Sequence, residues 1–202
     1  MPLVALPELI LAAQSGQVVS FPTDTLPALA VHPSQASRLF DLKQRSLEKP
    51  LILMGARVDD FKPYWRCDRS TLDQWKAVMA EHWPGALTLV LPVHPHLSAG
   101  LNPQNPETLG FRIPNCSIAL DILQATHPLA TTSANRSGEP PLESMEAIVT
   151  HFPEVYALAD GSYSPPGSGV ASTVAQWTEA GWLILRQGTC RLSQIASSQA
   201  DR

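Results

Sequence analysis

The sequence predicts an α/β fold, and three observations lead there. Between Pro7 and Leu185, segments with apolar residues at helical spacing alternate with short apolar runs of strand character. Apolar residues make up 44% of the 202, enough for a sizeable core, while charged residues reach only 16% against a usual share of about 25%. The 19 prolines are roughly twice the usual share of about 5%, and many end an apolar run. A coiled coil is excluded by the prolines and scarce charges, and a charged disordered chain by the apolar content.

The elements follow in order. Pro7 to Ser15 reads as a helix, with proline in the first turn where its missing N–H costs little. Gln17 to Phe21 reads as a strand that Pro22 ends. Ser34 to Gln44 has helical spacing, with Ser34 as N-cap. Leu51 to Met54 is a short buried strand. Ser70 to His82 is a helix, capped by Ser70 with Asp73 three residues on. Leu87 to Leu91 and Leu109 to Ile113 are strands, the second ended by Pro114. Ser117 to Thr126 is a helix, Leu129 to Thr132 a strand and Leu142 to His151 a helix. Val155 to Ala159, Ser172 to Ala175 and Trp182 to Leu185 complete the strands. The strand order stays open at this point.

Charge and cysteine usage narrow the function classes. The net charge is −4, with no run of five or six like charges, whereas a protein gripping a nucleic-acid backbone normally carries a basic surplus or face. Cys67, Cys116 and Cys190 are far apart and form no C-x-x-C pair, so they read as free thiols. The N-terminal apolar run is shorter than the roughly 20 residues of a membrane span and lacks a signal's charged start. A soluble cytoplasmic protein without a membrane role is the expectation.

Polar clusters at strand ends carry the chemistry. Phe21-Pro22-Thr23-Asp24-Thr25 follows a buried strand, where α/β sheets bind ligands, although a plain turn uses the same residues. Lys43, Arg45 and Lys49 gather at a helix end, suited either to phosphate or to the helix dipole. Arg112 lies inside an apolar strand and needs a carboxylate partner, internal or from a ligand. Thr131 to Gly138 concentrates hydroxyls, an amide and a glycine after a strand, a cradle for anionic oxygens or a polar turn. Gly161 to Gly169 reads as a lid or binding loop. There is no P-loop and no G-x-G-x-x-G after a strand. His94 and His96 are too few for a zinc site, and no metal site is expected.

Taken in order, FPTDT, KQRS-x-x-KPL, WPGALT, FRIP, PLATTSANRSG, STV and LRQG resemble the YrdC/TsaC family of L-threonylcarbamoyladenylate synthases. These pieces run from Phe21 to Gly188. The resemblance implies a YrdC/RibB-like twisted mixed sheet flanked by helices around a large concave cleft. It implies one domain over residues 1–202, core about 7–190, in the short form of the family. It implies that L-threonine, bicarbonate or carbon dioxide, and ATP give threonylcarbamoyl-AMP and pyrophosphate, for threonylcarbamoyladenosine in tRNA. Magnesium would come with ATP, and no tightly bound cofactor is expected. The other readings are a YrdC-like module binding double-stranded RNA or tRNA, and a nucleotide-binding paralogue.

Residue by residue, the resemblance assigns Lys43 and Arg45 to the ATP phosphates and to catalysis by charge neutralisation. Lys49, Ser133, Asn135 and Arg186 would also contact the nucleotide, with Thr108 and Ser144 near it. Thr25, Arg112 and Ser172 would contact L-threonine, with Arg112 on its carboxylate. Partners of the tRNA threonylcarbamoyl-transfer complex would receive the product. Leu26-Pro27-Ala28-Leu29-Ala30 departs from the family's Val-Tyr-Gly-Leu-Gly type of segment, with proline for the aromatic and alanines for two glycines.

Overall fold

The computed structural model describes residues 3–44, 46–159 and 167–192. The expected loop at Gly161–Gly169 therefore lies mostly outside the described residues, as does Arg45. In chain order the elements are β1 (Leu3–Val4), α1 (Leu6–Gln14), β2 (Val19–Phe21), β3 (Ala28–Val31), α2 (Ser37–Lys43), β4 (Ile52–Met54), α3 (Arg69–His82) and β5 (Leu87–Pro92). Then come α4 (Pro95–Ser98), β6 (Thr108–Arg112), α5 (Ser117–Thr126), β7 (Leu129–Ser133), α6 (Met145–His151), β8 (Tyr156–Leu158), β9 (Thr173–Thr178) and β10 (Gly181–Arg186). The strands form one mixed sheet in the order β1-β8-β2-β3-β7-β4-β6-β5-β9-β10. β4 and β6 run parallel, as do β5 and β9, while β3–β7, β4–β7 and β5–β6 are antiparallel.

Alternation along the strands sorts residues between two faces. Leu53, Leu89, Leu91, Leu109, Phe111 and Ala175 point into a core shared with Leu39 and Phe40 of α2, Trp75 and Val78 of α3, and Ile148 of α6. Phe61, Trp65 and Trp75 supply its bulk, with Trp65 and Trp75 ring centroids 6.0 Å apart in edge contact. On the opposite face Val19, Phe21, Ala28, Ala30 and Leu129 pack under Leu9 of α1 and Ile118 and Ile122 of α5. These two helices cover only part of that face. Its remainder, carrying Ile52, Gly110, Thr88, Val90, Val174 and Gln176, is the floor of a cleft.

Several boundaries differ from the sequence expectation for local reasons. The helix expected from Ser34 is split into a 3₁₀ turn, Pro33–Gln35, and α2. His32 caps the turn by accepting from the Ser34 amide. α3 is capped by Asp68 in place of Ser70, because Asp68 Oδ1 accepts from the Thr71 amide at 2.7 Å and a carboxylate also suits the helix dipole. The last helix starts at Met145, after Ser144, since the Leu142 amide is bound to the Ala134 carbonyl. β3 falls on the departing Leu26–Ala30 stretch, where Ala28 and Ala30 are small enough to sit fully buried under α1 and α5.

Candidate functional site

The cleft has a volume of about 730 Å³ and is bounded by strand ends and the loops that follow them. Its floor owes its depth to Gly110: a Cβ there would lie 2.8 Å from Cγ2 of Ile52 and 3.3 Å from Cγ2 of Thr88. Of the residues singled out in the sequence, Thr25, Lys49, Thr108, Arg112, Ser133, Ser172 and Arg186 line this one cavity.

Arg112 is almost fully buried at the end of β6. Nε donates to the Gly85 carbonyl at 3.1 Å, Nη1 to Thr25 Oγ1 at 2.8 Å, and Nη2 to Asp24 Oδ1 at 2.6 Å. The guanidinium has five N–H donors, so one on each Nη is left for a ligand carboxylate. The carboxylate partner expected for an arginine in an apolar strand is thus Asp24. Burial pushes the guanidinium pKa down, Asp24 pulls it back up, and the neighbouring Arg186 lowers it again. Thr25 is itself fixed by Thr23, whose Oγ1 accepts from the Thr25 amide and donates to the Leu26 carbonyl.

On the opposite wall, Ser172, the residue just before β9, shares a hydrogen bond of 2.9 Å with Thr88 of β5. Arg186 donates to the Ser172 carbonyl from both Nε and Nη2, at 3.1 and 2.9 Å. Desolvation lowers its pKa, and no ion pair joins it to a carboxylate among the described residues. Two guanidiniums that line one cleft, one lowered in pKa by the other's charge, favour an anion between them.

The third wall is the loop after β7. Lys43 is buried at the end of α2 and does not line the cavity. Its ammonium donates to the carbonyls of Ser133 and Asn135, both at 2.5 Å, and to Asn135 Oδ1 at 3.0 Å. Ser133 Oγ donates to the same Oδ1 at 2.7 Å, and Asn135 Nδ2 donates to the Glu139 carbonyl. The Ser137 amide closes back onto the Lys43 carbonyl and the Ala134 amide onto that of Pro27. Lys43 is thus the pin of this loop, with a proton for each of three acceptors. Lys49 is exposed at the cleft rim, and Thr108 accepts from Asn102 Nδ2 through its carbonyl. Ser144 faces a smaller cavity of about 280 Å³ behind the Thr23–Pro27 loop, and its hydroxyl caps α6 through the Ala147 amide at 3.1 Å. Pro141 is the residue of that stretch that lines the main cleft.

Sequence reasoning missed Asp24 as a site residue, although it stands inside the FPTDT motif. Thr88 and Thr131 likewise stood inside motifs without being given a role, and Asn102 was missed altogether. Thr131 borders the cleft with a buried hydroxyl that has no partner. Its position two residues before Ser133 on the same strand was the available signal. Among the described residues no three His, Cys, Asp or Glu side chains converge as a metal site, and no helix is long and apolar enough to cross a membrane.

The profile of the Sua5/YciO/YrdC family, described as telomere recombination, matches residues 12–188. A threonylcarbamoyl-AMP synthase of Klebsiella pneumoniae is 29% identical over 166 residues, 80% of this chain and 86% of that protein. That of Bacillus subtilis is 31% identical over 192 residues, 90% of this chain but only 53% of its own length. Sua5 of Pyrococcus abyssi, solved in complex with L-threonine, matches with a TM-score of 0.76 at 28% identity, over 93% of this chain and 56% of that one. Escherichia coli YciO has a TM-score of 0.76 at 21% identity, covering 93% and 91% of the two chains, a likeness of fold. The chain thus spans most of the Klebsiella protein and about half of the Bacillus and Pyrococcus ones. Since the matched span takes in nine of the ten strands and every wall of the cleft, the chain belongs to the Sua5/YciO/YrdC family.

Proposed function

We propose that this chain makes threonylcarbamoyl-AMP from L-threonine, bicarbonate or carbon dioxide, and ATP, releasing pyrophosphate. The observation that carries this reading is the pairing of Arg112 and Arg186 across one cleft, the first with two N–H donors left for a carboxylate. The synthase names of the relatives and the threonine bound to Pyrococcus Sua5 support it. Arg112, with Thr25 and Ser172, takes the amino-acid end. Arg186, Lys49, Ser133 and Thr108 serve the nucleotide, with Arg45 on its phosphates. Lys43 and Asn135 act by holding Ser133 and its neighbours in place, and Ser144 by capping α6.

The threonine amine captures carbon dioxide as a carbamate with loss of a proton. A carbamate oxygen attacks the α-phosphorus, and the bond to the leaving pyrophosphate breaks. No protein nucleophile is needed: the residues orient the two substrates and offset charge as it moves onto the leaving group. The cleft offers Glu48 as its one carboxylate among the described lining residues, which does not fit a protein-held magnesium ion. Magnesium would enter chelated by the ATP phosphates, as part of the substrate. The mixed-anhydride product would pass to a tRNA threonylcarbamoyl-transfer system.

Pyrophosphate release from ATP tests the reading. It should require both L-threonine and bicarbonate. Release that ignores threonine, or none at all while a Klebsiella-type relative is active beside it, would overturn it.

A further inference from the structure

The end of α3 and the segment after β10 bring three titratable side chains into a row outside the cleft. Cys190 Sγ lies 3.5 Å from Nδ1 of His82, and Nε2 of the same ring lies 3.6 Å from Oε1 of Glu81. The two ring nitrogens therefore serve different partners, a thiol on one side and a carboxylate on the other. With the ring proton on Nε2, Nδ1 can accept the thiol proton, and Glu81 steadies the resulting imidazolium. The His82 side chain is 13% exposed and Cys190 is half-buried, so the thiol lies at the margin of the core and not inside it. Burial and the Glu81 carboxylate push the thiol pKa up, so Cys190 rests protonated and its reactivity depends on a base.

The backbone beneath this thiol is clamped to the cleft wall. The Cys190 carbonyl accepts from Thr173 Oγ1 at 2.6 Å and from Gln187 Nε2 at 2.8 Å. The Gly188 amide donates to the same Thr173 oxygen at 2.9 Å. Gly188 packs so closely that a Cβ would lie 2.3 Å from the Ala171 carbonyl oxygen and 2.5 Å from the Thr173 amide nitrogen. Between those residues stands Ser172, whose carbonyl holds Arg186.

We propose that Cys190, with His82 as its base and Glu81 behind the imidazole, is a thiol modification site for small-molecule disulfides, and that the adduct loosens the Ser172–Arg186 wall. The Cys190 proton moves to His82 Nδ1 and the thiolate attacks one disulfide sulfur. The S–S bond breaks, a mixed disulfide forms, and the departing thiolate takes up the proton, with no net redox change. The adduct needs room between α3 and the Gln187–Cys190 segment, so the clamp on Thr173 opens. That this opening weakens ligand binding rests on the function proposed above.

The test uses 5,5′-dithiobis(2-nitrobenzoate) on the folded Cys67→Ser/Cys116→Ser protein. Adding His82→Gln should slow the reaction at least about tenfold, and Glu81→Gln by a few-fold, with melting temperatures checked in parallel. Equal rates in all three proteins, or reaction only after unfolding, would overturn the site. Amide hydrogen exchange in peptides over residues 171–176 should quicken on modification and recover with a thiol reductant; unchanged exchange overturns the coupling. ATP titration by calorimetry before and after modification should show a several-fold loss of affinity. A protein that never binds ATP sinks the proposed function while leaving the first two results to stand.

Discussion

Arg112 Nη2 donates to Asp24 Oδ1 at 2.6 Å with the two side chains only 5% and 15% exposed, so the end of β6 is locked to the loop after β2. Removing one member leaves the other buried and charged without a partner. Asp24→Ala should therefore lower stability by about 3–5 kcal/mol, as breaking a buried pair does. Arg112→Lys keeps the charge but loses the fork, and should raise the KM for threonine more than it lowers kcat. Denaturant melts and steady-state pyrophosphate release check the two halves. A stable Asp24→Ala protein with unchanged threonine dependence would remove this pair from the site.

Lys43 yields a prediction that sequence reasoning did not. As a phosphate ligand its loss would cut turnover and spare the fold. As the pin of the Ser133–Asn135 loop, Lys43→Met should harm both, because buried carbonyls left without donors cost about 1–3 kcal/mol each. Lys43→Met and Asn135→Ala share one network through Oδ1, so their effects on stability should be non-additive by about 0.5–3 kcal/mol. Urea melts of the two single variants and the double variant measure this, and strict additivity would refute the pin.

These contacts show where sequence reading reaches and where it stops. The strands β2, β4, β5 and β6 and the helices α1, α3 and α5 were legible because each is a local pattern of apolar residues, several of them bounded by proline or a polar cap. β3 was not, because Ala28–Val31 becomes a strand only by pairing with both β2 and β7, a nonlocal event. The cleft residues were legible as motifs, yet their division of labour was not. Nothing local to Lys43 says that its ammonium turns toward residues some 90 positions away. Nor does Ser144 announce that it caps a helix, since the same hydroxyl would serve a ligand equally well.

The cap of α3 carries a pH signature. Hydrogen bonding from the Thr71 amide holds the Asp68 carboxyl below its ordinary value of 3.8. A depressed folded-state pKa means that the contribution is complete above the unfolded value and fades as pH falls through the lower folded one. Asp68→Ala should therefore lower the melting temperature near neutral pH, and its difference from the parent should shrink below about pH 4. A gap that stays constant across that range would show that Asp68 acts through something other than its charge.

Gly110 tests the cleft floor without touching a polar group. Gly110→Ala places a methyl 2.8 Å from Ile52 Cγ2 and 3.3 Å from Thr88 Cγ2, so both neighbours must shift or the strand must move. Overpacking of this kind costs about 1–3 kcal/mol. Thr88 is bonded to Ser172, so the shift reaches the wall that holds Arg186. The expected result is a modest loss of stability with a larger loss of ligand affinity. Gly110→Ala with normal ATP and threonine binding would mean that ligands sit clear of the floor.

Arg186 should behave in the opposite way to Asp24. It is exposed in part, its hydrogen bonds go to Ser172, two to the carbonyl and one to the hydroxyl, and no described carboxylate balances it. Arg186→Met removes a cation repelled by Arg112, so stability should hold or rise slightly while ATP affinity falls at least about tenfold, the loss of one charge-assisted phosphate contact. Arg186→Lys should recover part of that affinity, because a point charge still meets phosphate, but not the paired hydrogen bonds to the Ser172 carbonyl. Calorimetric ATP titration beside thermal melts separates these outcomes. If Arg186→Met unfolds the protein and leaves nucleotide affinity intact in the folded fraction, Arg186 is a strap for Ser172 alone and the nucleotide side of the cleft lies elsewhere.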